Sequence, residues 1–542
     1  MGTDTVAVRA ATASSGTVLL TLASGQFLMA LDSSVMNVSI ATVAEDLGTT
    51  VTGVQTAITA YMLVMATLML TGGKISQIIG RKRAFSIGCV VYGAGSLTTS
   101  LSPNLGVLLL GWSLLEGMGA ALIMPTIVAL VASNFGRAQR PHAYGLVAAA
   151  GAIAVAVGPL VGGLMTTYAS WRWVFAGEVV LVLGILLLAR RIADAPPEPG
   201  IGLDLVGTGL SVIGLGLVVY GILRAGSWGF VFPNPQAPTW LGLSPVVWLV
   251  LSGGVVLLGF TVWERRRREA HAAVLVDPAL LGNTVLRAGL SSFFYQYLLM
   301  SGLFFAVPLF LSVALGLSAV DTGLRILPLS AALLVSAAGI PRFFPQASPR
   351  LVVRLGLASC FLGIVALIAA LDVGVGPEVV TWPMLLAGLG IGGLASQLGS
   401  VTVSSVPDEE SGEVGGLQNT IAFLGSAVGT ALAGAVLISA LTSSFFAGIQ
   451  ENPAVPEHLS SQAQVQLAGG VPFVPDRLLG ESLADAGVTG ETADAVIREN
   501  EAARLEGLRA ALSVLAVLAL LAIFTSGGLP TRQPGDEPSS EA

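Results

Sequence analysis

The segment GGKISQIIGRKRAF, residues 72–85, lies between two long apolar runs, Thr52–Leu70 and Ala84–Leu101. Arg81, Lys82 and Arg83 cannot enter a hydrocarbon layer cheaply, and the runs on either side cannot comfortably stay out of one. A short cationic turn, punctuated by Gly73 and Gly80, therefore reads as a cytoplasmic connection between two membrane spans. Of the 542 residues, 54% are hydrophobic and 11% charged, with mean hydropathy +0.83. Soluble proteins carry about 25% charged residues, so this chain lacks the charge to cover a water-facing surface of its size. Its apolar runs far exceed the roughly 10 residues of a membrane barrel strand. The composition predicts an all-α polytopic membrane protein.

A span needs about 20 apolar residues. Fourteen such runs are read: 17–41, 52–70, 84–101, 107–132, 143–165, 173–189, 205–223, 246–262, 288–313, 322–339, 352–371, 382–403, 415–441 and 508–525. Even parity puts both termini on one side. With that side inside, the inner loops hold Arg81/Lys82/Arg83, Arg137/Arg140, Arg190/Arg191, Arg265–Arg268 and Arg342/Arg350, while 42–51, 102–106 and 372–381 hold no basic residue. This asymmetry predicts cytoplasmic termini in a plasma-membrane protein. One inner loop, VPDEESGEVGG (406–416), is acidic instead. The long loop 442–506 falls outside and is expected to form a small hairpin over the outer mouth. Cys89 and Cys360 sit in apolar runs and read as packing residues, and the three histidines, His142, His271 and His458, are all expected in loops. No phosphate-binding loop, metal-ligand spacing, catalytic triad or nucleic-acid signature is present, so neither an enzyme nor an ATP-driven pump is expected from this chain, and no cofactor or metal.

Several stretches resemble signatures of the major facilitator superfamily, and specifically its fourteen-span drug/proton antiporters. They are the 72–85 turn, LDSSVMNVSIATVAEDLG (31–48), AITAYML (57–63), AVGPLVGG (156–163), DLVGTGLSVIGLGLVVYGILRAGSWGF (204–230), VPLFLSVALGLSAVDTGLRILP (307–328) and 404–432. The resemblance implies a two-bundle carrier: a lead at 1–16, a six-helix bundle at 17–190, two inserted spans at 191–270, a second bundle at 271–526 containing the outer loop, and a tail at 527–542. In the fifth span, Gly158, Pro159, Gly162 and Gly163, with Gly145 a few turns earlier, permit close helix approach and a kink. These residues, with Gly73, Gly80, Arg81, Lys82 and Arg83, are expected to serve gating. The chain departs from the family pattern at Gln77, in place of a loop aspartate, so the charge lock that the aspartate makes with basic partners is expected to be absent or weakened. It departs again at Ser113, in place of an arginine, and at Glu116 and Glu178, in place of amides.

Three acids lie within spans: Asp32, Glu116 and Glu178. A charge at mid-membrane costs about 2.5 kcal/mol or more, so such residues face a cavity or a partner. No lysine or arginine lies at comparable depth. Asp32, Glu116 and Glu178, with Asn37, are the candidate proton and substrate site. The expected function is proton-coupled export of hydrophobic or cationic compounds by a monomer working in the bilayer, with the proton gradient as energy source. Gln55, Tyr61 and Gln296 are further candidates for the cavity wall, and an aromatic cluster in span 9 (Phe293, Phe294, Tyr295, Tyr297, Phe304 and Phe305) reads equally as a stacking surface for flat hydrophobic substrates and as lipid-facing packing. Two alternatives stand beside this one: a facilitator that exports a lipid, metabolite or antibiotic without strict proton coupling, and a transporter-like protein with a structural or sensing role.

Overall fold

The computed structural model describes residues 15–49, 51–136, 139–192, 202–233, 237–372, 374–466, 471 and 476–533. Arg137 and the side chains of Asn37 and Pro159 lie outside the described set. The chain runs as α1 (Ser15–Asp46), α2 (Val51–Ile79), α3 (Arg81–Ser100), α4 (Leu105–Asn134), α5 (Arg140–Tyr168), α6 (Arg172–Ala189), α7 (Leu205–Trp228) and α8 (Pro245–Glu269). It continues as α9 (Thr284–Ala314), α10 (Ala319–Phe343), α11 (Pro349–Ala370), α12 (Thr381–Ser404), α13 (Ser411–Glu451), α14 (Glu457–Gln466), α15 (Asp476–Asp485) and α16 (Glu491–Thr525). Short polar side chains start several of these helices. Asn104, Asp204, Ser244, Asn283 and Ser348 each accept a backbone N–H of the first turn, which would otherwise lack a partner.

Among the described residues, thirteen helices are long and apolar enough to cross a membrane, against the fourteen spans expected. The difference is α3. It begins with the Arg81–Arg83 triplet and is diluted by Gly, Ser and Thr, yet it packs between α4 and α6 like its neighbours.

Two hydrophobic cores divide the helices. α1–α6 enclose one, with Leu28, Met65, Phe85 and Trp112 at its centre, and α9–α13 with α16 enclose the other, around Leu298, Leu357 and Leu512. The inserted α7 and α8 pack on each other, and α7 also touches α2 and α13, one helix from each bundle. α13 and α16 run on past the bundle. There they form a third small core with the segment between them, through Leu441, Phe445, Ile449, Val496 and Ala503. Arg504, almost wholly buried, pairs there with Asp476 at 2.6 Å, and Asn452 donates to Glu499 at 2.7 Å.

The bundles meet at the end that carries Lys74, Arg81 and Arg140, here called the basic end. α2 crosses α13 so closely that a Cβ on Gly73 would lie 2.5 Å from the Gly412 carbonyl oxygen. Gly145 on α5 lies directly against the Ala337 carbonyl on α10. Gly80 turns the chain from α2 into α3 at φ 97°, a conformation glycine adopts readily. Gly158 and Gly162 face Ser34 and Val35 of α1, within one bundle, while Gly163 has nothing within 4 Å of where a Cβ would be.

Candidate functional site

Three arrangements stand out: a cavity between the bundles, a polar lock closing it at the basic end, and a carboxyl cluster inside the first bundle.

The cavity has a volume of about 210 Å³. α5 supplies a smooth wall at helical spacing, Ala148, Gly151, Ala152 and Val155, and α9 supplies Phe293, Tyr297 and Phe304. Gln26, Gln296, Gln418 and Asn419 bring amides to its surface. Tyr144 also lines it; its hydroxyl donates to the Val128 carbonyl at 2.9 Å, and its ring lies against Gly399 on α12. Of the polar candidates read from the sequence, Gln296 lines the cavity, whereas Gln55 is exposed and Tyr61 is buried in the first bundle. Tyr144, Gln26, Gln418 and Asn419 were not singled out in the sequence. An amide or phenol inside an apolar helix was the only available signal, and it is equally common where helices merely pack.

The acidic loop 406–416 meets the basic residues of the first bundle at the lock. Lys74 Nζ lies 2.5 Å from Glu413 Oε1, with both side chains about 5% exposed. Glu413 Oε2 accepts the Asp277 backbone N–H at 3.2 Å. Arg140 donates to both oxygens of Asp408 at 3.0 Å and to the carbonyls of Ala132 and Phe135. Arg81 reaches the carbonyls of Ala129 and Asp408, and Gln77 donates to the Glu409 carbonyl at 3.0 Å. Gln77 itself makes no ion pair, and the charge lock between the bundles is made by other residues. Lys74, one turn earlier, takes an acid from the opposite bundle, and Gln77 contributes a neutral bond. Lys82 instead ties α3 to the carbonyls of Arg190 and Ile192, and Arg83 is exposed.

Asp32, Glu116 and Glu178, far apart in sequence, converge within the first bundle. Each offers an oxygen, and these oxygens lie within 4.8 Å of one another. All three residues are at most 1% exposed. Trp112 Nε1 donates to Asp32 at 2.8 Å, Thr99 to Glu116 at 3.0 Å and Ser96 to Glu178 at 2.9 Å. Asp32 Oδ2, Glu116 Oε2 and Glu178 Oε1 have no partner among the described residues. α4 passes through a π-helical stretch at Leu109–Glu116, which turns Trp112 and Glu116 inward, and Gly95 on α3 leaves room for the Glu116 side chain. Tyr61 stacks on Trp112 with ring centroids 5.1 Å apart. Sequence spacing suggested no metal-ligand set, yet this trio of hard oxygen donors could bridge one small cation. None of the three acids is among the residues lining the cavity. They reach it only through shared helices: α1 carries Asp32 and Gln26, and α4 carries Glu116 and the wall residues Met124 and Ile127.

Two helical bundles around a central cavity, closed at one end by inter-bundle contacts, define a membrane carrier. The sequence profile of the Major Facilitator Superfamily matches residues 22–430. The chain is 31% identical over 444 residues to puromycin resistance protein pur8 of Streptomyces alboniger, covering 80% of this chain and 84% of that one. It is 27% identical to the probable actinorhodin transporter of Streptomyces coelicolor (83% and 76% covered), and 28% identical to the tetracenomycin C resistance and export protein of Streptomyces glaucescens (78% and 76%). Among solved structures, it superposes on the human organic anion transporter MFSD10 with TM-score 0.57 at 13% identity, covering 94% of this chain and 98% of that one. It superposes on the proton:xylose symporter XylE with TM-score 0.53 at 12% identity (96% and 98% covered). At those identities the likeness concerns the fold alone. The chain belongs to the Major Facilitator Superfamily and is a multi-span membrane transporter, not an enzyme.

Proposed function

We propose that this protein exports hydrophobic organic compounds across the plasma membrane as a monomer, with both termini in the cytoplasm and proton exchange at Asp32, Glu116 and Glu178 driving the cycle. The observation that carries this reading is the pairing of an inter-bundle cavity, closed at the basic end, with an uncompensated carboxyl cluster on α1, α4 and α6, the first two of which line that cavity. Three negative charges at 4.8 Å would repel by about 3–4 kcal/mol per pair at an effective dielectric of about 20, so the cluster holds protons while it is closed to water. Protonation and ionisation would then shift α1 and α4 against their neighbours and alter the cavity wall, so cargo and protons are exchanged by rocking of the bundles. The basic end, rich in arginine, is the cytoplasmic side, and the lock closes it. Gly145 at the bundle contact and Gly158 against α1 allow α5 to slide. The names of the relatives, which concern resistance and export, support an outward direction and antibiotic-like cargo.

Purified protein in liposomes containing a pH-sensitive dye tests this reading. Addition of an exported hydrophobic compound moves protons in the wild type and not in Asp32→Asn. A second reading, facilitated export without strict coupling, is favoured by the separation of the acids from the cavity. It would be supported by transport that persists without a pH gradient and survives Asp32→Asn. The cationic half of the expected substrate class finds no acid on the cavity wall among the described residues.

A further inference from the structure

The cavity wall holds no aspartate, glutamate, lysine, arginine or histidine among the described residues. An ion brought into such a site would lose its hydration and meet no counter-charge. What the wall offers is flat and neutral. Phe293 and Tyr297 lie nearly parallel, at 19° with ring centroids 6.2 Å apart, on the α9 side, while α5 presents Ala148, Gly151 and Ala152, side chains too small to interrupt a planar surface. Gln296 lies between those two aromatic residues in sequence. It is 5% exposed, and its Oε1 has no hydrogen-bond partner among the described residues. A buried amide group without a partner carries a desolvation penalty that a bound molecule would relieve.

We propose that the cavity selects uncharged, planar aromatic compounds carrying a hydrogen-bonding group that meets Gln296, and that it discriminates against permanent cations. This rests on the reading that the cavity is the cargo site. It adds the chemical class of the cargo and names Gln296 as the residue that sets it. Aromatic faces provide stacking area for a flat molecule, the amide fixes its orientation, and the absence of a carboxylate withholds the usual attraction for an organic cation.

Equilibrium binding in lipid nanodiscs, with empty nanodiscs subtracted and no pH gradient, tests the proposal with three probes: 1-hydroxypyrene, pyrene and ethidium. Wild-type protein should bind 1-hydroxypyrene at least tenfold more tightly than ethidium. Gln296→Leu should weaken 1-hydroxypyrene about two- to tenfold, the worth of one hydrogen bond, and leave pyrene unchanged, which also shows that the variant is folded. Gln296→Glu should gain ethidium binding. The proposal is overturned if wild-type protein binds ethidium as tightly as 1-hydroxypyrene, or if Gln296→Leu weakens pyrene and 1-hydroxypyrene alike. Because no gradient is applied, failure of proton coupling would leave these outcomes intact. Equally, loss of this selectivity would leave proton-driven export of other cargo standing.

Discussion

Lys74 and Glu413 join the two bundles through an ion pair of 2.5 Å from which water is almost wholly excluded. Glu413→Gln keeps a group that can accept the Asp277 N–H but leaves the Lys74 ammonium buried without its anion. Breaking one side of a buried pair costs about 3–5 kcal/mol, because the remaining charge stays desolvated. That cost applies only while the basic end is closed; once the bundles part there, Lys74 regains water. The ratio of closed to open molecules should therefore fall by roughly two to four powers of ten, at 1.36 kcal/mol per factor of ten. Spin labels at Ser133→Cys and Gln346→Cys, both exposed and on opposite bundles at that end, read the distance distribution by double electron–electron resonance. The native cysteines are buried. The single variant should gain a long-distance population, and Lys74→Met/Glu413→Gln should recover most of the short one, since neither charge is then stranded. A single variant indistinguishable from wild type, or a double variant as open as the single, would refute the reasoning.

The Arg140–Asp408 pair should behave differently, because Asp408 is half exposed. Asp408→Asn is expected to lower stability by less than about 1 kcal/mol, whereas Arg140→Gln also strips bonds from the Ala132 and Phe135 carbonyls and should cost about 1–3 kcal/mol; equal losses in thermal melts would contradict this. Gly73→Ala should hold the bundles apart at the basic end, since the added methyl would sit 2.5 Å from a backbone oxygen; the same spin-label pair would reveal an unaltered distance if the contact is dispensable. At Asp46, partial burial pushes the carboxyl upward, but hydrogen bonds from Arg172 and from Trp171, the latter at 3.0 Å, together with the Arg172 charge, outweigh it and hold the group below the ordinary aspartate range. A depressed carboxyl stabilises the fold above its unfolded pKa and loses that contribution as pH falls. Asp46→Asn should therefore melt earlier than wild type at neutral pH, by up to about 1 kcal/mol, and the gap should close below about pH 4; a gap independent of pH would exclude the ion pair as its source.

The helical scaffold was largely legible in the sequence because hydrocarbon imposes length and polarity on each span independently of its neighbours. α3 shows the limit of that signal: its basic start and its glycines and hydroxyls hide a helix that tertiary packing retains. The acid trio was legible only residue by residue. Asp32, Glu116 and Glu178 each stood out as costly, but their meeting depends on three helix rotations and on the π-helical stretch at Leu109–Glu116, which no periodicity announces. Loop 406–416 looked like an exception to the charge rule until Asp408 and Glu413 were found facing Arg140 and Lys74. Each half of the lock was visible, but the pairing spans more than 260 residues and belongs to bundle docking.

Helices of 41 and 35 residues, α13 and α16, measure about 61 and 52 Å at 1.5 Å per residue, against roughly 30 Å of hydrocarbon. Their excess is braced by Arg504–Asp476 and Asn452–Glu499 and is continuous with one bundle only. Most of a carrier of this kind is hidden in its micelle, and its two halves look alike in projection. Here one half bears a stiff, water-exposed crest, so an antibody fragment raised against that crest would give image alignment a landmark and report the tilt of that half directly.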